Sequence, residues 1–238
     1  MSEMPESRRN TPAMRRVLGW LVRISLPIAV LSLPLFLLFT NSYVEWHYRS
    51  PGFPPSERFS AAERSRLSSV IINYIRGRAS LEEMRTMRTD QGEVAMRDSE
   101  VLHIVDVKGV TNHFFGAGPA AAYLLILASI ALWQRSRRDL ARAIRGGVYF
   151  TLGLIVLIVA ASLIDFSVFF DRFHRVFFTS DSWLFYYEDT LIQLYPLPLW
   201  QGAVVHLGVV ILAELVILYL VAWLINRRAP ADKLIQRA

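Results

Sequence analysis

The chain contains no cysteine, which excludes a disulfide framework, a thiol nucleophile and a thiolate metal site within it. It also shows no GxGxxG pattern, no Walker loop, no HExxH signature and no internal repeat, so no motif indicates nucleotide or zinc chemistry. Charged residues are scarce, at 19% against 53% hydrophobic residues in 238, which is too apolar for an ordinary soluble domain. The composition predicts a polytopic membrane protein.

The formal net charge is +6, but the basic residues stand at the ends of apolar runs rather than in a patch of their own. Such a distribution is typical of a topology signal in a membrane protein. We therefore expect no nucleic-acid partner.

Four apolar runs are each long enough to cross a hydrocarbon core of about 30 Å. They are residues 17–40, 114–133, 147–170 and 200–225. We expect the first to be retained rather than cleaved, because a signal core is about 7–15 residues long and ends at small residues. The predicted fold class is a mainly α membrane protein with four transmembrane helices.

Arginine and lysine predict the orientation of these spans. They are concentrated in residues 1–16, in the link 134–146 and in residues 226–238. By the positive-inside rule these three segments are cytoplasmic. Residues 41–113 and 171–199 then lie together on the extracytoplasmic side, and both termini are cytoplasmic.

Residues 41–113 form a predicted small, mostly helical extracytoplasmic domain, in which ten basic residues are matched by ten acidic ones. Ser60 and Glu63 make a capping-box pattern that opens a helix, and Gly77 is a plausible stop. A second helix is predicted to begin near Asp98 and to run toward span two. Residues 116–119 contain two glycines and a proline, which are predicted to break or bend it.

One group of candidate site residues lies on this second helix. Helical spacing puts Glu100, His103 and Asp106 on one side, with Lys108 close behind. A carboxylate that binds one ring nitrogen fixes the tautomer of an imidazole, as a general base requires. The alternative is a solvated amphipathic helix with ion pairs.

A second group lies in residues 165–200, between spans three and four. Its centre is His174. The charged residues Arg172 and Asp181 are predicted to orient the site, and an acyl-chain groove is predicted to be lined by Phe173, Phe177, Phe178, Trp183 and Pro196. The alternative is an aromatic belt that anchors helices at the membrane surface. Residues 190–199 are expected to re-enter the membrane or to lie along the interface, and in either case to line the groove. Asp165 is expected to turn toward Arg172 or the outer site.

The remaining histidines are weaker candidates. His47 and His113 are expected at the membrane interface. His206 and Glu214 share one face of span four and are expected to face the bundle interior, a cavity or each other. No spacing of ligands indicates a metal site.

Three patterns together carry a resemblance to a known family. They are E-x-x-H-x-x-D-V-K from Glu100 to Lys108, F-H-x-x-F-F-x-x-D-x-W from Phe173 to Trp183, and L-I-x-x-x-P ending at Pro196. They resemble the bacterial four-span membrane proteins of the lipoprotein intramolecular transacylase (Lit) family. His103 and His174 match the catalytic histidines of that family.

The resemblance implies an enzyme of the bacterial cytoplasmic membrane that works on its extracytoplasmic face without cofactor or metal. Its partners are a diacylated bacterial lipoprotein and membrane lipids. The sn-2 acyl chain of the diacylglyceryl group moves to the α-amine of the N-terminal cysteine. On our hypothesis, His103 is held by Glu100 or Asp106 and takes the proton from the amine. His174 supports the oxyanion or protonates the leaving oxygen, and the two roles are interchangeable at this stage.

Two other functions fit the same residues. An acyltransferase or lipase-like enzyme could use the histidines on another membrane lipid. A non-enzymatic membrane protein could bind a partner through the outer domain.

Overall fold

A computed structural model describes residues 11–178 and 182–228. Within these ranges the chain is almost entirely helical, and the β-structure described is one antiparallel bridge between Arg88 and Val94 across the turn at Gly92. The helices are α1 (Pro12–Leu38), α2 (Asn41–Tyr48), α3 (Ala61–Ile75), α4 (Leu81–Arg85), α5 (Asp98–Trp133), α6 (Arg137–Ile164), α7 (Phe166–Phe177), α8 (Thr190–Leu194) and α9 (Leu197–Arg227).

Four of these helices, α1, α5, α6 and α9, are long and apolar enough to cross a membrane. This confirms the predicted fold class of a mainly α protein with four membrane spans. Helix α3 also begins and ends where its sequence predicts: the Ser60 hydroxyl accepts a hydrogen bond from the Glu63 amide (3.2 Å), and Gly77 follows the helix with φ of +70°. Only glycine adopts that backbone conformation without steric cost.

Helix α5 runs unbroken through Pro119, so of the two predicted effects of residues 116–119, a break or a bend, the break does not occur. A proline removes one backbone donor, whereas ending the helix in hydrocarbon would leave several backbone groups without partners. His103 is therefore on the same helix as span two. It precedes Phe114 by about 16 Å at 1.5 Å per residue.

The third span ends earlier than residue 170, because helix α6 stops at Ile164. Asp165 has extended backbone angles, and its carboxylate accepts a hydrogen bond from the Val168 amide (3.0 Å). It is the N-cap of a separate helix, α7, and the hydrogen bond described for its carboxylate is to the backbone of that helix rather than to Arg172, one of the two partners expected. Aspartate is among the preferred N-cap residues because it satisfies an otherwise unpaired amide.

The chain divides into two compact units. The first comprises α1 up to Ser32, residues 117–156 and α9 from Val209. Its core is built from aliphatic residues of all four long helices, among them Val22, Leu26, Leu132, Ile144 and Leu215. Small residues allow the helices to approach, since a Cβ on Gly147 would lie 3.1 Å from Leu26 Cδ1.

The second unit comprises residues 33–116 and 157–208. Its core joins α3, α4, α5 and α8 through buried Leu67, Ile71, Met84, Ile104 and Leu194. The segment 190–199 belongs to this core. Leu191, Leu194, Tyr195 and Leu199 are buried there and α8 packs against α3, so these side chains face the protein core rather than an open groove.

Candidate active site

The structure brings His103 of α5 and His174 of α7 together within the second unit. Their ring centroids lie 6.0 Å apart with the ring planes tilted by 30°. Both side chains are buried, with exposed fractions of 7% and 8%. Two imidazoles at this separation can reach one reacting group placed between or beside them.

The hydrogen bonds of the two rings differ. His174 Nδ1 lies 2.7 Å from the carbonyl oxygen of Phe170, one turn earlier on α7. A carbonyl oxygen only accepts, so Nδ1 carries the proton and Nε2 keeps its lone pair when the ring is neutral. By contrast, His103 Nδ1 is buried and has no hydrogen-bond partner in the part of the chain that the structure describes.

Aromatic rings enclose the pair. Trp183 stacks on His174 at 4.9 Å with an interplanar angle of 28°. Phe178 contacts both histidines, at 5.1 Å from His103 and 5.7 Å from His174. The Phe185 ring centroid lies 5.4 Å from that of His103. The sequence did not predict this contact, because the one available signal was that Phe185 lies in an aromatic-rich stretch.

The other predicted groove residues lie farther out. Phe173 contacts the His174 ring edge at 5.5 Å but is 46% exposed, and Phe177 packs on Phe114 at 6.0 Å. Pro196 lies in the turn before α9, where its carbonyl accepts a hydrogen bond from the Leu199 amide. Phe173 thus adjoins the histidines, while Phe177 extends the apolar surface along α5.

Burial lowers the pKa of His174, and the Phe170 carbonyl and the nearby Asp171 carboxylate oppose that shift. The lowering prevails, so the ring is neutral at neutral pH. Asp171 itself is paired with Arg175, whose Nε lies 3.0 Å from Asp171 Oδ2. A neutral, correctly protonated imidazole can accept a proton at Nε2.

Glu100 does not hold His103 through any hydrogen bond between described residues, contrary to our hypothesis. Its carboxylate is buried and accepts from two backbone amides, Arg97 N at 2.9 Å and Leu191 N at 2.8 Å. Asp106 likewise accepts a hydrogen bond from the Ser182 hydroxyl (3.2 Å). Both carboxylates therefore join α5 to the segment after α7.

Three further predicted residues have different positions. The Lys108 ammonium lies 3.9 Å from the centre of the Tyr74 ring, and Arg172 is exposed on α7. Asp181 is outside the described residues. None of these observations places a cation beside the histidine rings.

Replacing Glu100 with alanine is expected to lower the free energy of unfolding by about 3 kcal/mol, because a hydrogen bond to a charged group contributes about 1.5–3 kcal/mol. Glu100→Gln, which keeps one acceptor oxygen, should lose less. The measurement is thermal unfolding in detergent. The control is Glu93→Ala, which removes an exposed carboxylate. An unchanged melting temperature for Glu100→Ala would contradict the role assigned to this carboxylate.

A second histidine pair lies elsewhere in the same unit. His47 of α2 is buried, with its ring centroid 5.3 Å from that of His206 on α9, and the Tyr43 hydroxyl lies 3.2 Å from His206 Nδ1. Gly202 makes the room, since a Cβ there would lie 2.7 Å from His47 Cε1. Within the described ranges, no three histidine or acidic side chains cluster as metal ligands do.

Comparison with known proteins identifies several relatives. The family model described as lipoprotein intramolecular transacylase Lit matches residues 20–200. An uncharacterised protein of Aquifex aeolicus is 27% identical over 197 residues, which cover 82% of this chain and 88% of that protein.

Solved structures show the same fold. The in meso structure of the membrane integral lipoprotein intramolecular transacylase Lit from Bacillus cereus matches with a TM-score of 0.76 at 19% identity. The match covers 92% of this chain and 98% of that one. A structure of the Bacillus cereus protein with one histidine changed to arginine matches with a TM-score of 0.64 at 17% identity, over 91% and 93% of the two chains.

Proposed function

The chain belongs to the lipoprotein intramolecular transacylase family, whose model covers residues 20–200, and from that premise we propose a reaction and a catalytic pair. It is an acyltransferase and a multi-pass membrane protein. The proposed reaction moves the sn-2 acyl chain of a lipoprotein's diacylglyceryl group to the α-amine of its N-terminal cysteine. The observation that carries the proposal is the buried contact between His103 and His174.

The reaction requires two proton transfers. The neutral amine attacks the ester carbonyl carbon, a carbon–nitrogen bond forms, and the carbonyl oxygen becomes an oxyanion. The nitrogen then loses a proton, the carbon–oxygen bond to the glyceryl group breaks, and the departing oxygen gains a proton. A base, a hydrogen-bond donor for the oxyanion and an acid are needed, and two imidazoles can supply them.

His174 is the better candidate for the base. This assignment reverses our sequence-based hypothesis, in which His103 removes the proton from the amine. The hydrogen bond from its Nδ1 to the Phe170 carbonyl holds the ring in the tautomer whose Nε2 can accept a proton. His103 has no comparable hydrogen bond among the described residues. We therefore assign proton removal from the amine to His174.

His103 then serves as the donor. A neutral imidazole carries one N–H, which can bind the oxyanion and later protonate the glyceryl oxygen. The buried Nδ1 of His103 is unsatisfied among the described residues, and a polar group of a bound substrate would satisfy it.

The aromatic enclosure favours transfer to an amine over hydrolysis. Trp183, Phe178 and Phe185 cover the histidine rings and limit the access of water to the tetrahedral carbon. Because the amine and the ester belong to one substrate molecule, the bound geometry gains the high effective concentration of an intramolecular step.

The same proposal includes a topology. The arginine-rich segments 1–16, 134–146 and 226–238 support cytoplasmic termini and a cytoplasmic link between spans two and three. The histidine pair then lies on the extracytoplasmic side, where the diacylglyceryl group of a lipoprotein meets the membrane.

The test uses purified protein and a synthetic diacylated lipopeptide. The expected product has the same mass as the substrate, so mass alone does not distinguish them. Tandem mass spectrometry identifies the product by an N-terminal fragment that carries one acyl chain on its α-amine. A phospholipid-dependent acyltransferase would instead add the mass of a chain. A non-enzymatic partner-binding protein would leave the lipopeptide unchanged, and either result would contradict the proposal.

The pH dependence follows from the lowered pKa of His174. Because the pKa of His174 is below the ordinary histidine value of about 6.5, the base is already neutral between about pH 6.5 and 7.5. In this window the rate depends only on the fraction of the substrate amine that is unprotonated, since the pKa of that amine is near 8. The logarithm of kcat/KM should rise with a slope near one over this window. A slope near two across the same window would show that His174 is still protonated there and would contradict this role.

A further inference from the structure

Basic side chains surround a cavity in the first unit that is remote in sequence from both histidines. The cavity has a volume of about 340 Å³ and lies between the first turns of α1 and of α6. Its charged and aromatic lining is Arg15, Arg16, Trp20, Arg23, Asp139 and Arg142. Four arginines therefore face one carboxylate, and the cavity carries an excess of positive charge.

The single carboxylate does not satisfy these arginines. Asp139 pairs with Arg15 at 3.4 Å and with Arg142. Even so, the Nε atoms of Arg15 and Arg23 are buried without a hydrogen-bond partner among the described residues. The Arg15 side chain as a whole is 36% exposed, and four guanidinium groups carry far more donors than one carboxylate can accept, so the cavity suits a ligand with several oxygen acceptors.

The position of Arg23 depends on a glycine. A Cβ on Gly146 of α6 would lie 2.9 Å from Arg23 Nε, so any larger residue there would displace the guanidinium. The guanidinium also lies 5.1 Å from the centre of the Trp20 ring. The guanidinium is thus held between α1 and α6, and Arg23 lies inside the predicted span 17–40, where charged side chains are rare and face a protein interior or a water-filled cavity.

The surroundings favour a lipid over a soluble anion. Val17, Trp20 and Ile24 follow one another on one face of α1 and are 56%, 58% and 59% exposed. In a membrane span such a face contacts acyl chains, and tryptophan is typical of the headgroup level. A ligand bound in the cavity would therefore have an anionic group beside arginines and apolar chains beside this face.

We propose that this cavity binds the phosphate of an anionic phospholipid, with the acyl chains along Val17, Trp20 and Ile24. Arginine suits the phosphate because its planar donors bind two oxygens at once. A zwitterionic lipid fits less well, since its ammonium group adds positive charge to a cavity that already has an excess. By the predicted topology the site is cytoplasmic, where basic pockets between helices bind anionic headgroups.

Native mass spectrometry of the full-length protein tests the proposal, with phosphatidylglycerol and phosphatidylethanolamine of identical chains titrated in parallel. We expect the unaltered protein to retain phosphatidylglycerol in preference to phosphatidylethanolamine. The affinity for phosphatidylglycerol should fall about tenfold in Arg23→Gln and in Arg142→Gln, because each change removes a charge-assisted hydrogen bond. The matched control is Arg227→Gln, since Arg227 also lies over a tryptophan, at 4.4 Å from the Trp223 ring centre, but outside the cavity. It should bind as the unaltered chain does.

The proposal would be overturned by equal retention of the two lipids, by unchanged binding in both cavity variants, or by an equal loss in Arg227→Gln. Arg142 has a side chain that is 67% exposed, so its variant gives a result even where Arg23→Gln fails to fold. A further arm adds inorganic phosphate in excess. Complete displacement of phosphatidylglycerol would assign the cavity to free phosphate and would also overturn the lipid assignment.

Discussion

Replacing His174 with alanine is expected to lower the rate of acyl transfer by about 10²- to 10⁴-fold, which is the usual contribution of a positioned general base. The substitution removes Nε2, the atom that the Phe170 carbonyl prepares for proton transfer by binding Nδ1–H. It also opens a gap beside Trp183. Single-turnover conversion of a diacylated lipopeptide, followed by tandem mass spectrometry, measures the chemical step without product release.

The control for this variant is His47→Ala. His47 is also a buried histidine that contacts another histidine, but its neighbours are Tyr43 and His206 rather than the proposed site. It should lose stability without a comparable loss of the single-turnover rate of folded protein. If His47→Ala were as inactive as His174→Ala, or His174→Ala retained full activity, the assignment of the base would be wrong.

Replacing His103 with alanine is expected to have a similar effect, again about 10²- to 10⁴-fold, because the oxyanion and the leaving oxygen lose their donor. The double variant His103→Ala/His174→Ala should be no more than about tenfold slower than the slower single variant, since groups that act as one unit are strongly non-additive. The rates come from the same single-turnover measurement.

His113→Ala is the matched control for His103. His113 lies on the same helix, is exposed, and its ring is bonded to the carbonyl of Gly109 at 2.7 Å. Its replacement should leave the rate unchanged. Multiplicative effects in the double variant would show that the two histidines act in separate steps or sites and would contradict a shared reacting centre.

Local sequence signals predicted much of this structure because the interactions they encode are local. Helix α3 begins and ends at signals that act within a few residues, the Ser60 hydroxyl and the glycine at position 77. The four long helices follow from the lengths of the four apolar runs, which can be read directly from the sequence. The segments that carry the two histidines were also predictable from topology and from the family resemblance. Their distance and tautomers were not.

Tertiary contacts explain two of the differences between the predicted and the observed structure. Glu100 was expected to bind its helical neighbour His103, but it accepts a hydrogen bond from Leu191 N, a tertiary partner that no local pattern indicates. Residues 190–199 illustrate the same point, since packing against α3 decides where the leucines of this segment are buried.

The cap at Asp165 was missed for a different reason. Apolar residues continue on both sides of it, and the length of that run suggested a single helix. One aspartate with extended backbone angles ended α6 and started α7, and α7 places His174. A capping residue within an apolar run is thus as informative for the site as the histidine itself.

The central claim is that one substrate molecule supplies both the acyl chain and the amine, and an isotope crossover experiment tests it most directly. Two diacylated lipopeptides are mixed with purified protein in a defined membrane, one with labelled acyl chains and the other with a labelled peptide. Intramolecular transfer predicts N-acylated products that retain the mass of each parent. N-acylated products of mixed label, or an acyl chain that originates from the surrounding lipid, would contradict the proposed function.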